Sequence, residues 1–196
     1  MGSCFFALIS RMRHIRRWGL MRNSCSENVQ EHSHMTAVTA HALGVIRRDV
    51  LNIPCDPDKA AVAALYHDAP EILTGDLPTP VKYHNRDIIY AYRRVEETAS
   101  EKLADMLPPE IKEAYKPLLS QNPANELSAL VRAADKLSAY IKCIEERKAG
   151  NNEFLYAEKQ TLEKLRAMEM PEVKYFLENF IPAFELTLDE LGTADN

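Results

Sequence analysis

The chain has 196 residues, a formal charge of −5 and four scattered cysteines, Cys4, Cys25, Cys55 and Cys143. That length suits one domain able to bury its apolar surface without staples, and thiols lacking CxxC or zinc-finger spacing fit a reducing cytoplasm, the expected location. The longest apolar runs fall far short of the roughly eighteen residues of a membrane span, and the acidic balance gives no chain-wide basic field for a nucleic acid polymer.

Glycine is scarce, prolines fall between segments and apolar residues recur at three and four, so the pattern predicts an all-α fold. A first helix over 5–15 is expected to bury Phe6, Ile9 and Met12. Arg16-Arg17-Trp18-Gly19 reads as its frayed end or a loop. It belongs to a cationic group of Arg11, Arg13, Arg16, Arg17 and Arg22, either a solvated helix face or a seat for a phosphate monoester. Trp18, the single tryptophan, reads as a core plug or as a wall of a substrate pocket. The next helix should start after Asn28 as N-cap, with Glu31 completing a capping box, and run to 49. His32 stands in its first turn, while His34 and His41 face elsewhere and read as structural or exposed.

Asp56-Pro57-Asp58 opens another helix, and Ala60, Ala61, Ala63 and Ala64 let it approach its neighbours closely. It leads into Tyr66-His67-Asp68-Ala69-Pro70-Glu71. His67 and Glu71, four apart, are expected on one helical face, with Pro70 supplying the helix end that lets Asp68 reach the same point. Gly75-Asp76-Leu77-Pro78-Thr79-Pro80 has turn chemistry, is expected to be irregular, and reads as a pocket wall or an ordinary connector. An amphipathic helix over 86–107 carries a packing stripe of Ile88, Tyr92, Val95, Ala99, Leu103 and Met106.

Pro108-Pro109 breaks the chain before a short helix to 119. Over 124–149, Leu127, Val131, Ala134, Ser138 and Ile141 share a face bordered by Asp135. An acid beside an apolar stripe asks for a reason, and a metal bond is sufficient. Gly150 should cap that helix, with closing helices over 153–168 and 172–180 ended by Pro182. The apolar set Tyr140, Ile141, Ile144, Phe154, Tyr175, Phe176, Phe180 and Phe184 exceeds what one small core needs, which points to a homodimer.

Two imidazoles and two carboxylates, His32, His67, Asp68 and Asp135, make a divalent-metal set whose two negative charges neutralise the ion. With nitrogen and oxygen donors and no sulfur, octahedral ions are favoured over zinc. The order His, then His-Asp, then a distant Asp on helices resembles the HD-domain phosphohydrolase superfamily. Arg17-Trp18, Glu27-Asn28-Val29-Gln30-Glu31-His32-Ser33, the 66–71 stretch and Gly75-Asp76-Leu77-Pro78-Thr79-Pro80-Val81-Lys82-Tyr83 look like its bacterial 5'-deoxynucleotidase branch. The likeness extends over nearly the whole chain, to Leu186-Thr187-Leu188-Asp189-Glu190.

This resemblance implies an HD-domain helical bundle over 1–196 with a metal site at its centre, and a homodimer. It implies hydrolysis of deoxyribonucleoside 5'-monophosphates to deoxyribonucleosides and phosphate, where sequence chemistry alone reaches only a phosphate ester. One divalent ion is implied, cobalt preferred, with manganese, copper, magnesium or iron as alternatives. Glu71 is expected to take a proton from a water activated by the ion, Arg17 to hold the phosphate, and Asp76 to accept a substrate hydroxyl or protonate the leaving oxygen. Thr79 would donate to sugar or phosphate, and Trp18 with the loop of Asp76, Leu77, Pro78 and Thr79 would refuse a 2'-hydroxyl. His32 and Asp135 would border the substrate as well as the ion.

Two departures qualify the likeness. Gly19 stands where proline is usual and is expected to loosen the Arg17-Trp18 turn. Ile72 follows Glu71 where alarmone hydrolases resemble His-Asp-x-x-Glu-Asp, which disfavours an alarmone substrate. The alternatives are an HD phosphohydrolase of other nucleotides, alarmones or cyclic diesters included, and a catalytically inactive helical module that keeps the metal for structure.

Overall fold

Asn28 opens the helix around which the others gather. Its side chain accepts from the Glu31 N–H while the Glu31 carboxylate accepts from the Asn28 N–H, a complete capping box at the start of α2 (Val29–Val45). The computed structural model of the chain describes residues 2–82, 84–120 and 126–193. Among these no strand forms, and a lone antiparallel bridge joins Arg16 to Asn28. Tyr83 and the expected helical positions 124 and 125 lie outside the described residues.

Ahead of α2, α1 (Phe5–Ile9) tightens into a 3₁₀ turn (Ser10–His14) rather than continuing as one helix to 15. Its buried ring is Phe5, at 0% exposure, not the expected Phe6, which stands 54% exposed. Phe5 wins because it packs against both Tyr66 and Tyr115. Fully burying a ring of this size contributes about 1.5–3 kcal/mol. Met12 is buried as expected, and Ile9 only partly so.

After α2 and a π turn (Ile46–Val50), Asp56 caps α3 (Pro57–Tyr66) by accepting from the Lys59 N–H, with Pro57 at the first position. At Gly44 a Cβ would lie 2.9 Å from the Pro57 Cα, so the absent side chain lets the two segments touch. One-turn helices α4 (Glu71–Thr74) and α5 (Thr79–Lys82) follow, then α6 (Arg86–Asp105), α7 (Pro109–Leu119) and α8 (Glu126–Lys148). The expectation that 75–80 is wholly irregular is corrected at α5, since Pro80 sits early enough in a helix to lack no intrahelical donor. In the α6 stripe Ala99 and Leu103 are buried, Ile88, Tyr92 and Met106 are half-buried, with the Tyr92 hydroxyl donating to Gly75 O, and Val95 alone stands open at 50%.

Gly150 closes α8: the Gly150 N–H donates to Arg147 O and the Asn151 N–H to Glu146 O, a Schellman pair. A 3₁₀ turn (Asn152–Phe154), α9 (Leu155–Ala167) and α10 (Pro171–Asn179) come next. Pro182 does not end the helical region but lies inside a further 3₁₀ turn (Ile181–Glu185), ahead of α11 (Leu188–Thr193).

Two apolar clusters result. The larger lies between α2, α3, α8, α9 and α10 and includes Leu43, Ala64, Leu137, Ile144 and Phe176. The smaller joins Phe5, Ala69, Leu103, Leu107 and Leu119. Ala64 and Ala69, both 0% exposed, therefore anchor the two sides of the His67-Asp68 turn in different clusters.

The aromatic surplus is largely spent inside the chain. Tyr140, Ile141, Ile144, Phe154 and Phe176 are buried, Tyr175 and Phe184 partly so, and only Phe180 is open at 44%. These residues thus give little reason for a second copy. No helix among the described residues is long and apolar enough to cross a membrane.

Candidate metal centre and active site

α3 stops at Tyr66, so His67 and Asp68 occupy a turn and Glu71 begins α4. His67 and Glu71 therefore do not share a continuous helical face, contrary to expectation. The turn is held by the Ala69 N–H donating to Tyr66 O and the Glu71 N–H to Asp68 O. Asp68, no longer constrained to a helical register, faces His67 directly, with Oδ2 at 3.1 Å from Nε2.

The other two predicted residues arrive at the same point. His32, fully buried on α2, sets Nε2 3.1 Å from Asp135 Oδ1 and 3.6 Å from Asp68 Oδ2, although Asp135 lies 103 positions away on α8. His67 Nδ1 lies 2.7 Å from Ala64 O, which fixes that nitrogen as the donor and turns the Nε2 lone pair toward the carboxylates. His32 Nδ1 faces Ser138 Oγ at 3.3 Å, a hydroxyl able to accept a proton from that nitrogen and so leave Nε2 toward the acids. Donor atoms of His32, His67 and Asp135 all lie within 4.8 Å of one another. These three donors, with Asp68 against both imidazoles and no sulfur among them, form a set that could hold a divalent metal ion.

Electrostatics follow from the crowding. Burial opposes ionisation of Asp68, but His67, His32 and Arg17 outweigh it and hold the carboxyl down at about 2. Asp135 is held well below the carboxylate range in the same way, burial being outweighed first by His32. Burial disfavours the His67 cation, yet Asp68 and then Asp135 raise its pKa. Glu71 goes the other way: burial first, then the charges of Asp68 and Asp76, push it up to about 10. Its Oε2 is buried without a hydrogen-bond partner among the described residues.

Asp76, in the partly buried loop that begins at Gly75 with φ 74°, is raised by burial and pulled back by Arg17. Leu77 and Pro78 are half-buried beside it, and Thr79 is exposed at the start of α5. Of the five expected arginines only Arg17 enters the site, donating from Nη1 to Asp68 Oδ2 at 3.3 Å. Arg11, Arg13 and Arg16 are exposed, and Arg22 pairs with Glu153 at the surface. The solvated-face reading holds for those four.

Trp18 is half-buried. Its ring packs on Phe154 at 5.2 Å, and Nε1 donates to Glu27 Oε2 at 2.9 Å. Trp18 itself, at φ 59°, supplies the left-handed residue of the turn. Around Gly19 the Met21 N–H donates to Trp18 O, the Asn23 amide donates to Trp18 O and Met21 O, and a Cβ at Gly19 would meet nothing within 4 Å.

A family model described as 5'-deoxynucleotidase YfbR-like matches residues 4–184. The chain belongs to the YfbR-like 5'-deoxynucleotidase family. It is similar to a 5'-deoxynucleotidase of Erwinia tasmaniensis, 48% identical over 191 residues that span 97% of this chain and 96% of the relative. In fold it is similar to an HD-domain phosphohydrolase from Listeria innocua, with TM-score 0.82 and 24% identity over 98% of this chain and 96% of that one. A cyanophage S-2L HD phosphohydrolase, described as bound to dA and one catalytic zinc ion, matches with TM-score 0.63 and 20% identity over 90% and 95% of the two chains.

Several residues of this YfbR-like site escaped the sequence reading. Ser138 and Thr36, whose Oγ1 is 3.4 Å from His32 Nε2, stand three and four positions after Asp135 and His32, one turn along each helix. That spacing could have found them. Glu27 could not be found so, because its partners are set by how a loop folds. Nor could the buried Lys142–Glu146 pair on α8. There Glu146 accepts from the Ser24 and Cys25 N–H groups and from Asn151, while Lys142 Nζ donates to Cys25 O.

Proposed function

We propose that the four-residue cage and the groups around it carry out the family reaction, hydrolysis of deoxyribonucleoside 5'-monophosphates to deoxyribonucleosides and phosphate. The chain is a metal-dependent 5'-deoxynucleotidase. The observation that carries the mechanism is the convergence of His32, His67, Asp68 and Asp135, from α2, the 67–70 turn and α8, on one point beside Arg17.

His32, His67, Asp68 and Asp135 would hold a divalent ion, which when bound would supply Lewis acidity toward a water and a phosphoryl oxygen. Glu71 takes the proton of the attacking water: its Oε2 is buried without a hydrogen-bond partner among the described residues, and it is free to accept once cation charge in the cage displaces the proton that burial and Asp68 hold on it in the metal-free chain. Arg17 binds the phosphate through its Nη edge, since its Nε edge faces Glu27. Asp76, whose carboxyl burial pushes upward, delivers a proton to the leaving 5'-oxygen. Thr79 donates to the sugar or phosphate, and Leu77, Pro78 and Trp18 shape the space next to C2'.

Cobalt is the proposed ion, with manganese next. Zinc, carried by the cyanophage relative, is the competitor to test. The cytoplasm is the proposed location. A homodimer is proposed from the family likeness, and the exposed Met35 and Val38 on α2 with Val62 and Leu65 on α3 are its candidate contact face. Sedimentation showing only a 22.3 kDa species overturns the dimer.

Phosphate release from paired deoxy and ribo 5'-monophosphates, measured with cobalt, manganese and zinc in turn, tests the reaction. Preference for the deoxy 5'-esters is expected. Equal rates on 2'- or 3'-phosphates, or on diesters, overturn it.

A further inference from the structure

One carboxylate oxygen outside the cage does two jobs. Glu27 Oε2 accepts from Arg17 Nε at 3.2 Å and from Trp18 Nε1 at 2.9 Å, and the Arg17 N–H donates to Glu27 O at 3.0 Å. Arg17 and Trp18 are adjacent, so their side chains would ordinarily leave the backbone in different directions. The left-handed Trp18 brings the indole round to the oxygen that holds the guanidinium. An unusual backbone angle for a bulky residue persists only where its surroundings over-determine it.

The surroundings do so here. Two and three positions before Glu27, Cys25 and Ser24 are fastened to α8, where Glu146 takes their N–H groups and Lys142 takes the Cys25 carbonyl. Immediately after Glu27, Asn28 pairs with Arg16 and caps α2. Glu27 thus sits on a stretch fixed at both ends. Its side chain, 12% exposed, has a charge-assisted partner in Arg17.

We infer that Glu27 is a positioning residue that locks the Arg17 guanidinium and the Trp18 indole into one rigid unit, so that phosphate capture and rejection of the 2'-hydroxyl are set together. This rests on the substrate roles proposed above for Arg17 and Trp18. Glu27 touches neither the cage nor the reacting atoms. It holds the Nε edge of Arg17 so that the Nη edge points at Asp68 and the phosphate position beside it.

The experiment uses the full-length, metal-loaded protein with deoxyadenosine and adenosine 5'-monophosphates, and the variants Glu27→Ala, Glu27→Gln, Arg17→Ala and the Glu27→Ala/Arg17→Ala double. Glu27→Ala is expected to raise KM for the deoxy ester about tenfold or more, to change kcat less and to narrow the deoxy-to-ribo ratio. Metal content should not change. Glu27→Gln keeps an acceptor for the indole but loses the charge facing Arg17, and should fall between wild type and alanine. In the Arg17→Ala background the further KM loss from Glu27→Ala should largely vanish, because the guanidinium it positions is gone.

Trp18 is the single tryptophan, so its acrylamide quenching reads the indole tether without reference to any substrate. Quenching should steepen in Glu27→Ala and less in Glu27→Gln, with far-ultraviolet circular dichroism unchanged. Wild-type quenching in both variants overturns the inference, as does a Glu27→Ala effect on KM that adds fully to that of Arg17→Ala. If wild type hydrolyses neither ester, the deoxynucleotidase reading falls, and the quenching result alone upholds or overturns the rigid unit.

Discussion

Ser138 Oγ stands 3.3 Å from Nδ1 of His32, bridging 106 positions of sequence. With the hydroxyl oxygen accepting, Nδ1 carries the proton and Nε2 is left to face the two acids. Ser138→Ala removes that orientation without removing a donor to the ion. Metal affinity is expected to fall about tenfold or more, measured by competition with a chelator, with little change in melting temperature. Unchanged affinity would show that Ser138 only fills space.

The two acids of the cage should be separable. Asp135→Asn weakens the ion's hold but leaves the Arg17–Asp68 pair at 3.3 Å in place. Asp68→Asn weakens the ion and also strips Arg17 of a charge partner. Metal analysis after dialysis should show loss in both variants. Substrate affinity measured with metal in excess should suffer more in Asp68→Asn; equal KM values in the two would contradict the geometry.

Glu71 gives a pH dependence of defined sign. Its carboxyl moves from an ordinary 4.5 to about 10 in the folded protein. Between those values the folded chain keeps a proton that the unfolded chain has released, so stability of the metal-free protein falls as pH rises through that window. Glu71→Gln removes this titration. The metal-free variant should exceed wild type at pH 8 by about 1–3 kcal/mol in denaturant unfolding. The metal-loaded variant should lose turnover while retaining the ion. Metal uptake by wild type should release about one proton that the variant does not.

Glycines 44 and 19 should respond oppositely to alanine. At Gly44 the new Cβ would meet the Pro57 Cα at 2.9 Å, backbone against backbone, and the cost should be about 1–3 kcal/mol, read as a lower melting temperature. At Gly19 it would meet nothing within 4 Å, so stability and deoxy preference should stay as they are.

The parts of this molecule that were legible in advance are those where chemistry forces a residue type. Asn28 with Glu31 and Asp56 with Pro57 announce helix starts because unsatisfied N–H groups need nearby acceptors. His67-Asp68 and Asp135 stand out because an ionisable group costs too much inside an apolar pattern unless something repays it. Phe5 against Phe6 is not decidable from the chain alone, since adjacent aromatics fit a helix equally; Tyr115 meets both rings, and the distant Tyr66 that stacks on Phe5 separates them. The end of α3 is not legible from Pro70, whose restriction acts only on Ala69, whereas the turn begins where His67 Nδ1 donates to the Ala64 carbonyl. Glu27 and the Lys142–Glu146 pair were invisible because their meaning lies in a loop route.

Ala64 and Ala69 tie the catalytic turn to two separate apolar clusters. A flaw in either, even at Leu103 or Ile144, well removed in sequence, would therefore be transmitted to the angle between the His67 ring and the Asp68 carboxyl. Core lesions in this enzyme should silence it while it is still folded, and loading with metal should restore part of what they take away.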